Sequence, residues 1–292
     1  MFRRTKSRIA FEIFNYLFLT AWFVICVLPF IHIIAVSFSG RGPADANFVG
    51  LWPLEPTTEN YVRALNDEYI VQPFFNSIKR VILGVCFNML ITVITAYPLC
   101  KEKKDFPGRS VYTWFFIFTM LFSGGLIPSY LLMRNLGLLG NMWALILPGT
   151  VPIFNILVLL NFFRQLPKEI EEAAIIDGAS QAQVLVRIFL PLSAPCLATL
   201  VLFSAIGHWN AWFDGMIYMR SPEQYPLTTY LQVIQTRLTK INSYSDAQKM
   251  ERIARRSLLM SYITISMLPI MFVYPFLQRH IKKGLVLGSV KG

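Results

Sequence analysis

L-P-K-E-I-E-E-A-A-I-I-D-G-A-S-Q-A-Q-V-L-V-R-I-F-L-P, residues Leu166 to Pro191, is a polar stretch inside an otherwise oily chain. Pro167 suits the first position of a helix, where its missing N–H has no partner to lose. Glu169, Glu171 and Glu172 load the first turns with carboxylates, which the positive end of the helix dipole favours. Ile170, Ala173, Ala174 and Asp177 recur at helical steps and share a face. Gly178 stands where helices commonly stop in a left-handed residue. Ser180 and Gln183 have capping-box spacing and start a second helix, whose apolar face is Val184, Leu185, Ile188 and Phe189 and which Pro191 ends. The stretch therefore predicts helix, glycine turn, helix. On pattern alone it is either a surface that docks on a partner or an amphipathic connector lying on a bilayer.

Composition decides the surroundings. The chain has 292 residues, 55% of them hydrophobic and only 15% charged, with mean hydropathy +0.51. Apolar runs of about 20 residues cross a bilayer as helices, and six can be placed, at about 13–38, 75–99, 111–133, 141–163, 195–219 and 258–278. The net charge of +11 would suggest nucleic acid in a soluble protein. Here the basic residues lie mostly between apolar runs, where membrane topology accounts for them. Arg3, Arg4, Lys6 and Arg8 precede a first run too long for a signal-peptide core, so that run is expected to be an anchor. An even number of spans puts both termini on one side. Short basic segments (Lys101, Lys103, Lys104 and Arg109; Arg164, Lys168 and Arg187; Arg279, Lys282, Lys283 and Lys291) make that side cytoplasmic. Cys26, Cys86, Cys100 and Cys196 lie in or beside apolar runs with no Cys-x-x-Cys spacing, so apolar packing is expected of them rather than disulfides or zinc.

E-A-A-x-x-D-G-A-x-x-x-x-x-x-x-I-x-L-P, here Glu172 to Pro191, resembles the cytoplasmic signature of permease subunits of binding-protein-dependent ABC importers. W-P-L-E-P-T-T-E-N-Y (Trp52 to Tyr61), Asn76-Ser77 and the tail Lys282 to Gly292 are similar to the maltose-type branch of that family. G-G-L-I-P, N-F-F, E-E-A-A-x-x-D-G-A-S and G-H-W-N-A-W together are similar to a sub-branch serving complex and acidic oligosaccharides, including alginate importers. The resemblance implies an all-α, polytopic type I ABC importer permease of six transmembrane helices in a bacterial cytoplasmic membrane. It implies a single transmembrane domain, residues 1–292, with a cytoplasmic coupling loop at 164–194 and external loops at 39–74 and 220–257. It implies a second homologous permease as heterodimer partner, two ATPase subunits that bind ATP and Mg, and an extracytoplasmic solute-binding protein delivering an oligosaccharide. By the same resemblance Glu171, Glu172, Ala173, Ala174, Asp177, Gly178, Ala179, Leu190 and Pro191 carry coupling to the ATPase, and the tail reaches between the ATPase subunits.

Other residues are candidates for the substrate path. Asn88 and Asn155 are polar within apolar spans. G-H-W-N-A-W-F-D-G, Gly207 to Gly215, places His208, Asn210 and Asp214 near the outer half of the fifth span, where polar groups usually face protein or water. Trp209 and Trp212 fit sugar stacking, and equally fit the tryptophan belt of a membrane interface. F-S-G-G-L-I-P-S-Y, Phe122 to Tyr130, would end a helix in water; in a membrane such a break is tolerated beside protein or a cavity. In the first external loop, Thr57 or Thr58 is expected to cap a short helix through Glu59, Tyr61 and Leu65. The second external loop carries Arg237, Lys249, Arg252, Arg255 and Arg256, either a solvated basic face or a contact for a binding protein or an anionic substrate.

No G-x-x-x-x-G-K-[ST] stretch is present, so the chain has no P-loop of its own. His32, His208 and His280 have no metal-ligand spacing, and neither H-E-x-x-H nor a nucleophile–base set appears. No cofactor, metal or nucleic acid is expected in this chain. An ion-coupled secondary transporter would need paired repeats and mid-membrane carboxylates, and only Asp214 is a candidate.

Overall fold

The computed structural model describes residues 6–66, 68–239 and 256–289. Helices dominate them, and among the described residues there is no strand. The chain divides into two compact units, one holding the residues up to Val71 together with Ile234–Met267, the other Gln72–Val233 and the residues from Leu268 onward.

In the first unit the long apolar helix α1 (Lys6–Ser37) leads into two short helices, α2 (Arg41–Asp45) and α3 (Glu59–Leu65). The end of α1 leaves carbonyls without helical partners, and Asn60 supplies them. Its Nδ2 donates to the carbonyls of Ser37 and Ser39, at 3.0 and 3.1 Å. The Tyr61 hydroxyl meets Ser37 Oγ at 2.6 Å. Ser257 and Ser261, on the last helix α15 (Arg256–Ser289), donate to Asn60 Oδ1 and to the Ser37 carbonyl. Thr58 is the N-cap of α3 without a side-chain bond; Thr57 Oγ1 accepts the Glu59 N–H instead.

The second unit holds most of α4 (Glu68–Cys100), a single helix of 33 residues. After it come α5 (Arg109–Leu121), α6 (Leu126–Asn135), α7 (Trp143–Ile146) and α8 (Ile153–Phe163). The polar stretch forms α9 (Lys168–Ile176) and α10 (Gln181–Val184), followed by a π-turn at Leu185–Phe189 and α11 (Leu190–Leu192). Then follow α12 (Ala194–Asn210), α13 (Phe213–Tyr218) and α14 (Leu227–Thr239), whose end passes into the first unit.

Among the described residues, α1 and α4 are long and apolar enough to cross a membrane as single helices. Three further candidates are bent: α5 with α6 by 109°, the α7 segment with α8 by 45°, and the Gln181–Leu192 segment with α12 by 81°. Arg256–Phe272 is a shorter apolar helix. The 109° elbow falls at Phe122–Gly125, where Gly125 has φ +86 and Pro128 follows. The fifth apolar run is interrupted as well, between Asn210 and Phe213.

Local chemistry shifted three sequence expectations. Pro167 caps α9 from just outside (φ −60, ψ 126) rather than occupying its first turn. Pro191 does not end its helix, which continues to Leu192. The π-turn just before it widens the backbone, relieving the clash a proline makes with the carbonyl four residues back. Of the cysteines, Cys196 is buried and Cys100 partly so, whereas Cys26 and Cys86 sit on exposed helix flanks.

Candidate functional site

The polar hairpin closes through its backbone. Gly178 takes φ +84, its N–H donates to the Ile175 carbonyl at 3.0 Å, and the Ala179 N–H donates to the Ala174 carbonyl at 2.9 Å. This is the paired bonding of a Schellman stop. One residue later Ser180 Oγ accepts the Gln183 N–H while the Gln183 side chain accepts the Ser180 N–H, a complete capping box. Two helix ends are thus satisfied within six residues, and the turn needs no outside partner.

The hairpin has two faces. Leu166, Ala174, Ala179, Val184, Leu185, Ile188 and Phe189 pack into a core with Tyr97, Ile156, Leu159, Phe163 and Leu200. Tyr97, Phe163 and Phe189 meet edge-on, with ring centroids 5.2 to 6.4 Å apart. Leu190 is half-buried, and Pro191 is exposed. The opposite face is open: Ile170, Glu172, Ala173 and Asp177 are exposed, and Ile176 is 84% exposed. Of the residues assigned to coupling by resemblance, Glu171 is the one whose carboxylate turns inward, to an ion pair with Lys101.

Lys101 and Glu102 directly follow α4 and both reach α9. Lys101 Nζ pairs with Glu171, and Glu102 pairs with Lys168, one turn earlier on the same helix. Lys101 also lies over the Tyr97 ring, 4.1 Å from its centroid. Burial works against the Lys101 charge, but its bonds to Glu171 and Tyr97 outweigh this and hold its pKa above the ordinary lysine value. While Glu171 is ionised that contribution is fully present below the ordinary lysine pKa, and it is lost as pH rises through the raised one. The Lys168 ammonium holds the exposed Glu102 carboxyl below its ordinary range. That contribution is present above the ordinary carboxyl pKa and lost as pH falls through the lowered one. Arg164 caps the end of α4 through the Leu99 carbonyl, at 3.1 Å, and the Tyr97 hydroxyl donates to Gln181 Oε1 at 2.7 Å.

Farther along α4, a cavity of about 420 Å³ gathers four of the seven expected path residues: Asn88, Asn155, His208 and Asp214. Asn88 Nδ2 donates to the Gly149 carbonyl at 2.6 Å, and its Oδ1 meets His208 Nε2 at 2.9 Å. Asn155 Nδ2 donates to Ser204 Oγ at 3.0 Å. Trp209 is buried edge-on to Phe74, with centroids 6.0 Å apart, while Asn210 and Trp212 are exposed; none of these three lines the cavity. His208 packs on Gly84, where an added Cβ would lie 2.4 Å from Nε2. Gly84→Ala is therefore expected to push the imidazole off Asn88 and to destabilise the chain by about 1–3 kcal/mol. The melting temperature of the purified protein checks this; an unchanged value would mean the ring moves freely.

Sequence reasoning missed Arg80. It is 2% exposed, pairs with Asp214 through both terminal nitrogens, and donates from Nη1 to the Ala211 carbonyl at 3.0 Å. That carbonyl lies at the break between α12 and α13, where Thr228 and Thr229 also donate, to Ala211 and Trp212. Asp214 Oδ1 accepts the Gly215 N–H at 2.8 Å. The available signal was an arginine within an apolar run whose chain offers a lone carboxylate in another, since charges in such runs pair. Asn76 and Ser77 tie the same region: Asn76 Nδ2 donates to the Glu223 and Tyr225 carbonyls, and Ser77 Oγ accepts the Leu227 N–H.

Of the basic external set, Lys249, Arg252 and Arg255 lie outside the described residues, as does the Arg237 side chain. Arg256 opens α15, its backbone N–H on Asp45 Oδ1 at 3.3 Å.

The profile of the family described as binding-protein-dependent transport system inner membrane component matches residues 75–287. Protein LplC of Bacillus subtilis (strain 168) is 39% identical over 290 residues, covering 99% of this chain and 97% of its own. The polygalacturonan/rhamnogalacturonan transport system permease protein YtcP of the same organism is 35% identical over 288 residues, covering 98% and 100%. Among solved structures, a chain from a bacterial ABC transporter involved in the import of the acidic polysaccharide alginate superposes with a TM-score of 0.85. It is 31% identical, over 96% of this chain and 99% of that one.

Proposed function

The chain belongs to the binding-protein-dependent transport system inner membrane components, and from that membership we propose that it is one of two permease subunits in an ATP-driven importer of acidic oligosaccharides. Its companions are a second, homologous permease, two ATPase subunits that bind ATP and Mg, and a solute-binding protein outside the membrane. Both termini and the Leu166–Pro191 hairpin face the cytoplasm. The open hairpin face, with Ile170, Glu172, Ala173 and Ile176, is the surface that enters the ATPase. A side chain as apolar and exposed as Ile176 is what a docking helix offers to a groove.

One observation carries the substrate class: the chain superposes along nearly its whole length on a subunit of an alginate importer. The polygalacturonan named for the second relative is likewise a polymer of uronic acid. The cavity supports a saccharide path, since its volume falls within the range of about 300–1,000 Å³ usual for small-molecule sites and amide, imidazole, hydroxyl and carboxylate groups line it. Neutral oligosaccharides are the second reading, favoured by the engagement of Arg80 with Asp214, which leaves the cavity's cation already paired. In the mechanism, ATP binding closes the ATPases, the hairpin follows, and the cavity opens outward; hydrolysis resets it.

The test is substrate-stimulated ATPase activity of the reconstituted importer, challenged with uronic-acid and neutral oligosaccharides. Stimulation by uronic-acid oligosaccharides alone is expected. Stimulation by neutral sugars alone would keep the importer and discard the acidic substrate.

A further inference from the structure

We propose that Lys101, Glu102, Lys168 and Glu171 form a crossed-charge clamp that makes α4 the rod carrying hairpin movement to the break between α12 and α13. The proposal rests on the permease reading, and these four are positioning residues.

A hairpin pushed by a partner moves the cavity only through rigid connections. The direct covalent route runs through Ser193, where the chain bends by 81° before α12. A corner of that kind transmits poorly unless it is braced. The brace is the end of α4. Consecutive residues there, Lys101 and Glu102, meet Glu171 and Lys168 on α9 with opposite polarity. Sliding α9 by one turn would set Lys101 beside Lys168, so the crossed arrangement fixes register as well as contact. Tyr97 adds a bond to Gln181 on the second hairpin helix. The Lys101–Glu171 pair is largely shielded from water, with side chains 13% and 20% exposed, so it is screened less than a surface pair.

From Lys101 back to Arg80 the helical rise spans about 30 Å. Along this length α4 carries Asn88 against His208 of α12, and Arg80 against Ala211 and Asp214 at the break. One continuous helix therefore grips the hairpin at one end and both sides of the broken fifth run at the other. Packed secondary elements of this kind are one physical carrier of coupling between distant sites.

The test is a charge swap in the full chain, with Lys101→Glu, Glu171→Lys and the double variant each assembled into the importer in proteoliposomes. Sugar uptake per ATP hydrolysed is expected to fall about tenfold in each single variant, a typical coupling magnitude, and to return within about twofold of wild type in the double. Normal coupling in the singles would overturn the clamp, as would an assembled double no better than the worse single. Hydrogen exchange of residues 168–176 in the detergent-purified chain reads the clamp independently of any sugar. It is expected to quicken about tenfold in the singles and to slow again in the double. Unchanged exchange would overturn the clamp, whereas quickened exchange beside a wild type that takes up no sugar would keep it and sink the substrate reading. If a single variant fails to assemble, Lys101→Met preserves most of the packing and removes the charge; normal coupling in it overturns the proposal.

Discussion

Gly178→Val is expected to abolish sugar uptake while leaving the importer assembled in the membrane. The backbone at Gly178 has φ +84, and an added Cβ meets nothing within 4 Å. The penalty is therefore conformational and not steric crowding. A left-handed residue with a Cβ costs roughly 1–2 kcal/mol, and a β-branched one is a genuine outlier there. Valine would relieve that cost by letting α9 run on or by splaying the turn. Either way the Schellman bonds of Gly178 and Ala179 are lost, and Ser180 no longer stands where its capping box begins. Gly178→Asn is the control, because asparagine tolerates the left-handed region, and it is expected to retain most uptake. Uptake and ATPase activity in proteoliposomes, beside a pull-down of the complex, check both variants. Normal transport by the valine variant would mean that the turn's geometry does not matter to coupling.

The second large effect is expected at Asp214. Asp214→Ala would leave the Arg80 guanidinium buried without its counter-charge, and breaking such a pair costs about 3–5 kcal/mol. The partial exposure of Asp214 puts the expected loss near the lower end of that range. It should appear as a marked fall in melting temperature and yield. The double change Arg80→Met with Asp214→Leu should recover most of it, since an apolar pair of similar volume replaces a buried ion pair at little cost. A single variant as stable as wild type would show that water reaches Arg80 and compensates the lost carboxylate.

These two sites differ in how far they could be read from sequence. At Gly178 the determinants are local. A glycine after an apolar turn and a Ser-x-x-Gln pair beginning two residues on act through backbone bonds among near neighbours, so the pattern predicts the geometry. Arg80 and Asp214 are far apart in sequence, and their meeting depends on how α4 lies against α13, which no local pattern encodes. The inward turn of Glu171 escaped for the same reason: a row of glutamates at the start of a helix does not tell which one faces a lysine on another element. Pro191 was misjudged from the opposite side. Its local rule is sound, but the π-turn before it suspends the rule. For the path residues, polarity within apolar runs pointed to Asn88, Asn155, His208 and Asp214, which share one cavity. The tryptophans fit two explanations, and Trp209 is buried against Phe74.

The elbow at Phe122–Gly125 bears on how the protein is made. Its four residues are non-helical and exposed, in the middle of an apolar pair neither half of which reaches across a bilayer. Hydrocarbon does not accept bare peptide groups of this kind, so lipid alone cannot complete the segment. If the proposed second permease covers this face, a copy in the membrane without it carries an unfinished surface. On the proposed reading, matched and neighbouring synthesis of the two permeases would shorten the time for which that surface stays open.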